Sequence, residues 1–199
     1  ALPLAFTRGP WDLETRLSSV RFSSDFRDPN DPFGFTASDT DSEGRRGRVV
    51  GSWHPEGSQR DLRVSVGADV ERLEVTDSST FGRNLSGAHQ RTWAGFGELS
   101  AAFGSAEHPG RVEVGVRRDD NDVYGGATSL RAGLVQSFGA GWRARASYGE
   151  AFRAPTLGEL FFPFSGNPNL RPEEGRSAEI GLEKSVGNWR FDLTAFENR

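Results

Sequence analysis

The 199 residues contain no cysteine, which removes a thiolate nucleophile, thiolate metal sites and a disulfide framework. His54, His89 and His108 stand in three separate segments, with no His-Glu-x-x-His spacing and no second histidine near any of them. No Gly-x-Ser-x-Gly elbow presents a serine. Gly95-x-Gly97-x-x-Ser100 lacks the third glycine and the strand–helix unit of a dinucleotide site. No catalytic residue is assigned, and an enzyme is not expected. Metal chemistry has one foothold. Asp39-x-Asp41-x-Glu43-Gly44 opens like an EF-hand loop, but its twelfth position is Val50 where glutamate must close the coordination shell. That leaves calcium clamped between loops by Asp25, Asp28, Asp31, Asp39 or Asp41 as the metal expectation, against a plain solvated acidic loop. No other cofactor is expected.

The densest stretch begins Ser147-Tyr148-Gly149-Glu150-Ala151-Phe152-Arg153-Ala154-Pro155-Thr156-Leu157-Gly158-Glu159-Leu160. It continues Phe161-Phe162-Pro163-Phe164-Ser165-Gly166-Asn167-Pro168-Asn169-Leu170-Arg171-Pro172-Glu173. Most of it is architecture. Pro155, Pro168 and Pro172 remove N–H donors and end a ladder, and Gly166-Asn167-Pro168-Asn169 is turn chemistry. Arg153 and Glu159 are expected to pair at the loop base. Arg153, Phe161, Phe164 and Asn167 are the candidate substrate contacts.

Around this stretch the polar pattern has a period of two, the signature of strands. Val112, Val114 and Val116 alternate with Arg111, Glu113 and Arg117; Trp142, Ala144, Ala146 and Tyr148 alternate with Arg143, Arg145 and Ser147. Leu62, Val64, Val66, Ala68 and Val70 do the same, as do Ala178, Ile180, Leu182 and Val186, and Trp189, Phe191, Leu193 and Ala195. Weaker alternation covers residues 11–22, 44–53, 90–103 and 128–138. About nine strands result, most of about 8–12 residues, the length that crosses a bilayer at a tilt and longer than the usual 5–6 of soluble sheets. Charges opposite every apolar row predict a barrel that is apolar outside and polar inside. Arg63, Glu113, Arg143, Arg145, Glu179, Glu183 and Arg190 are expected to face its lumen.

Connections agree. Long segments (23–43, 77–89, 119–127 and 151–175) alternate with short ones (55–58, 104–110, 139–141 and 187–188). Outer-membrane meanders have long external loops and short periplasmic turns. Trp11, Trp53, Trp142 and Trp189 lie at the short-turn end, as an interfacial girdle would. A net charge of −4, with basic residues scattered, gives nucleic acid no footprint. The predicted fold is therefore all-β: part of an antiparallel, up-and-down transmembrane β-barrel, with no internal domain boundary. Two alternatives are a small self-contained outer-membrane barrel with a structural or adhesion role, and a soluble β-sandwich binding module.

The run from Phe152-Arg153-Ala154-Pro155 through Glu159-Leu160-Phe161 and Gly166-Asn167-Pro168-Asn169-Leu170-Arg171-Pro172-Glu173 to Glu179-Ile180-Gly181 resembles TonB-dependent outer-membrane receptors. Arg117-Arg118-Asp119 and Tyr124-Gly125-Gly126 resemble a second stretch of that family, and the Gly-Asn-Pro-Asn-Leu wording is most similar to its cobalamin branch. The resemblance implies an outer-membrane receptor of a Gram-negative bacterium, moving a corrinoid or iron chelate with energy coupled through TonB. It also implies lipid as a partner, a plug domain filling the lumen, and calcium in the external loops of the cobalamin branch. Plug-like sequence and a TonB box are absent from these residues, so residues 1–199 are expected to be part of the barrel domain of a longer protein.

Overall fold

The computed structural model describes residues 1–55 and 61–199. Ten strands form one sheet: β1 (Leu2–Arg8), β2 (Trp11–Arg27), β3 (Ala37–Trp53), β4 (Arg63–Ser79), β5 (Gly82–Gly104), β6 (Pro109–Asn121), β7 (Gly125–Gly139), β8 (Trp142–Arg153), β9 (Glu173–Val186) and β10 (Trp189–Asn198). A short helix, α1 (Leu157–Phe161), sits between β8 and β9. Each strand pairs antiparallel with its sequence neighbours, in the order β1 to β10. The sheet is an open up-and-down meander with β1 and β10 at its edges, the wall of an unclosed barrel.

Register sorts the side chains, because residues directly opposite in a ladder share a face. Val66, Gly97, Val116 and Leu130 lie in one cross-strand row, and Leu99, Val114, Ala132 and Tyr148 in the next. Ala146, Ile180 and Ala195 continue the same face to β10. The other face carries all seven charges expected in the lumen. Burial follows the membrane pattern rather than a sandwich's. Only Leu85, Ala94, Ala127, Leu157 and Leu160 are buried hydrophobics among the described residues, while Val114, Leu130, Leu134, Ile180 and Leu193 are exposed.

Three details differ from the sequence expectation. The tenth strand is β1, whose alternation of Leu2, Leu4 and Phe6 is as regular as any other but only seven residues long. The supposed long connections 23–43, 77–89 and 119–127 are mostly strand: the chain turns only over 28–36, 80–81 and 122–124. Ser, Thr and Asp residues there still alternate and still pair, so the ladders outrun the apolar band instead of dissolving into loops. Residues 154–172 form the longest connection among the described residues. The short turns stand at 9–10, 105–108, 140–141 and 187–188. The turn expected around 55–58 lies largely outside the described residues.

All four girdle tryptophans come out on the outward face at the short-turn end. Trp11 sits directly opposite Trp53, with ring centroids 6.3 Å apart. The Lys184 ammonium lies 4.7 Å from the Trp142 ring centroid, so the cation that interrupts the β9 apolar row is held over an aromatic face.

Candidate functional site

Two surfaces could meet a solute: the inward face of the sheet and the 154–172 connection at its loop end. The inward face is a lattice of paired charges. Arg117 bonds Asp69 at 2.6 Å and Asp119 at 2.8 Å, and Arg48 approaches Asp69 at 3.7 Å. Arg145 reaches Glu179 at 3.2 Å on β9 and Asp192 at 2.5 Å on β10. Arg190 approaches Glu183 at 3.6 Å, and Arg131 pairs with Glu98. Phe96 is set among these charges, with the Arg48 and Arg117 guanidinium carbons 4.8 and 5.8 Å from its ring centroid. Gly67 makes room for that ring: a Cβ there would lie 2.3 Å from Phe96 Cζ. A surface so charged and so self-paired suits a wet lumen and not a dry core.

The 154–172 connection is built from its base upward. Thr156 caps α1: its hydroxyl accepts from the Glu159 N–H at 3.1 Å, and Glu159 Oε2 accepts from the Thr156 N–H at 2.8 Å. That reciprocal pair is a capping box. Arg153, at the end of β8, donates from Nη1 to both Glu159 oxygens at 3.0 and 3.1 Å, and from Nε and Nη2 to Glu173 at 3.1 and 2.8 Å. The expected Arg153–Glu159 pair is thus present, and Glu173 at the start of β9 completes a three-residue clasp. The Thr156 amide, then the Arg153 guanidinium, hold the Glu159 carboxyl below the usual glutamate range. Leu157 and Leu160 are buried, 2% and 1% exposed, where α1 packs on β5. The loop therefore folds back over the sheet.

Among the four candidate substrate contacts, Arg153 is committed to that clasp. Asn167 turns into its own loop, its N–H donating to the Glu159 carbonyl at 2.8 Å and its Oδ1 accepting from the Asn169 N–H at 3.0 Å. Phe161 and Phe164 remain exposed, and Phe164 holds a left-handed backbone at φ 65°. These two rings are the exposed members of the set.

The five aspartates split. Asp25 and Asp39 stand opposite each other in β2 and β3, with Arg27 between them at 3.1 and 2.8 Å. Asp41 pairs with the Ser23 hydroxyl. Asp28 and Asp31 cap the 28–36 turn, accepting from Asn30 N–H at 3.0 Å and Phe33 N–H at 2.8 Å. Among the described residues no three acidic or histidine side chains converge as a metal would require. An aromatic stack went unread in the sequence: Phe35 lies 5.7 Å from Phe26 and 6.2 Å from Phe81, tying the 28–36 and 80–81 turns together. No spacing rule could find it, since the three rings come from the end of β2 and from two separate turns.

A family model described as "TonB dependent receptor-like, beta-barrel" matches residues 3–199. The chain belongs to the TonB-dependent receptor β-barrel family. Among curated relatives, a vitamin B12 transporter BtuB of Vibrio vulnificus is 28% identical over 137 residues, covering 69% of this chain and 22% of that protein. A BtuB of Photobacterium profundum is 35% identical over 88 residues, 44% of this chain and 14% of that protein. The chain thus spans under a quarter of the length of these relatives. Among solved structures, a mutant of the ferric enterobactin receptor PfeA from Pseudomonas aeruginosa aligns with a TM-score of 0.73 at 19% identity, covering 98% of this chain and 33% of that one. The siderophore receptor PirA from the same organism aligns at 0.64 and 19%, covering 98% and 44%. At that identity the structures speak for the fold. The relatives are named as transporters and receptors, in keeping with the expectation that this family member is not an enzyme.

Proposed function

We propose that residues 1–199 are part of the barrel wall of an outer-membrane receptor that imports a large scarce nutrient, with the end that carries the 28–36 and 154–172 connections outside the cell. The observation that carries this is the two-faced ten-strand sheet, apolar outward and charge-paired inward, in a chain matched to the receptor barrel family over residues 3–199. Barrels of about 22 strands have a plugged lumen, so the inward lattice of Arg48, Asp69, Arg117 and Arg145 would face a plug domain of the full-length protein. Import then requires ligand capture at the outer loops and energy from TonB to displace that plug. A corrinoid is the preferred cargo, supported by the Gly166-Asn167-Pro168-Asn169-Leu170 wording and by two relatives named as vitamin B12 transporters. Phe161 and Phe164 would supply apolar contact to it. Deleting the full-length gene should abolish accumulation of labelled cobalamin, and deleting TonB should abolish it equally. Unchanged cobalamin uptake with lost ferric-siderophore uptake would move the cargo to iron chelates, and no loss of either would end the transport reading.

A further inference from the structure

Two residues beyond Trp93 on the outward face, where the apolar band ends on the loop side, three arginines stand in one row. Arg45 is directly opposite Arg72, and Arg72 directly opposite Arg91. Cross-strand Cβ atoms are about 4.5–5.5 Å apart, and like charges so placed repel. Glu43 bonds Arg45 at 2.6 Å and Glu74 bonds Arg72 at 3.3 Å. Arg21 shares Glu43 at 3.2 Å, so four arginines meet two glutamates on this patch. No described carboxylate pairs with the Arg91 side chain; Asp122 engages its backbone alone, Oδ1 accepting from the Arg91 N–H at 2.8 Å and the Asp122 N–H donating to the Arg91 carbonyl at 3.1 Å.

Directly beside the row, on the side of the apolar band, the surface is hollow. A depression of about 830 Å³ is lined by Leu2, Leu17, Gly47, Val70 and Trp93, with the arginines at its rim. Leu17 and Trp93 are 59% and 58% exposed there. Gly47 keeps the floor open, since a Cβ would press on Val70 Cγ1 at 3.3 Å and Leu17 Cδ2 at 3.4 Å. An excess of cations at the rim of an apolar slot, on a face turned to lipid, matches a headgroup with negative charge and acyl chains. Guanidinium forks suit phosphate oxygens, and basic clusters at the membrane surface recruit anionic lipids.

We propose that Arg45, Arg72 and Arg91, with the hollow at Gly47, bind a phosphorylated acyl lipid of the outer leaflet. The phosphate accepts hydrogen bonds from the three guanidiniums, and an acyl chain lies over Gly47 against Leu17 and Val70. The site rests on the outer-membrane placement above, but not on any cargo.

The test uses the full-length receptor in neutral detergent, incubated with bis-phosphorylated lipid A, dephosphorylated lipid A, or inorganic phosphate, with retained molecules read by native mass spectrometry. Bis-phosphorylated lipid A should be retained at least ten-fold better than the dephosphorylated form. Arg72→Gln with Arg91→Gln should cut retention at least ten-fold, and the matching lysine pair should restore part of it. Gly47→Leu should also cut lipid retention while leaving inorganic phosphate unaffected. If the glutamine pair does not show heat-modifiable migration as a folded barrel, Gly47→Leu alone carries the comparison. Equal retention in wild type and variants overturns the site, as does retention of inorganic phosphate as strong as that of the lipid. Lipid retention with no nutrient uptake would leave this site standing and sink the transport reading; uptake without retention would do the reverse.

Discussion

Val114 and Glu113 are chain neighbours that face different solvents. Val114 stands between Leu99 and Ala132 on the outward face and is 41% exposed. Glu113 points inward, near the Ser100 hydroxyl at 3.5 Å. A charge on the lipid side near the midplane of a barrel costs about 2–4 kcal/mol, and lumen positions tolerate it. Val114→Arg should therefore destabilise the full-length receptor by about 2–4 kcal/mol in paired refolding titrations in lipid, with Glu113→Arg close to wild type. Equal costs, or a larger one at Glu113, would reverse the face assignment. Residue-scale alternation is what made the outward and inward sets legible before any coordinates, because a two-residue pleat leaves no third option. The arginine row was not legible, since Arg45, Arg72 and Arg91 become neighbours only through the register of three strands.

At the scale of elements, sequence reading placed the strand centres well and their ends poorly. It looked for apolar rows, but β3, β4 and β5 continue beyond theirs on Ser, Thr, Asp and Glu residues that keep pairing. Helix α1 was read only as loop architecture, although Thr156-x-x-Glu159 carries the capping-box signature. Its five residues are too few to show a period. The clasp of Arg153, Glu159 and Glu173 makes this element sensitive to acid. Glu159 has its folded pKa lowered, first by the Thr156 amide and then by Arg153. Its contribution is full above the ordinary glutamate value and is lost as pH falls through the lowered folded value. Limited proteolysis of the 154–172 loop in the full-length receptor should therefore accelerate at acid pH but stay flat from pH 6 to 8. Glu159→Gln should raise cleavage at neutral pH and blunt the acid response. Identical pH profiles for the two proteins would remove Glu159 from the role of loop anchor.

At the scale of the whole chain, the described residues form a sheet without a core of its own. Its apolar band, running from Leu13 and Val66 through Val114 and Ala146 to Leu193, covers nothing among the described residues. Among the described residues the buried hydrophobics number five, and two of those belong to α1 where it folds onto β5. Burial of apolar area is worth roughly 25 cal/mol per Å², so a sheet that leaves its long apolar rows in water forgoes the main driving force for a soluble fold. Both edges aggravate this. β1 pairs only with β2, and β10 only with β9, leaving each outer side as a template for further pairing. Exposed apolar patches far larger than a few hundred Å² mark surfaces that bind lipid or self-associate. Expressed alone, residues 1–199 should be recovered as aggregates or as detergent-dependent species. Refolding into lipid should bring protease protection only when the rest of the barrel is supplied. Analytical ultracentrifugation of the refolded segment without detergent decides the point. A single sharp monomer boundary with a cooperative thermal transition would mean that the outward row is covered within the chain, and the barrel-wall reading would fall to the soluble sandwich.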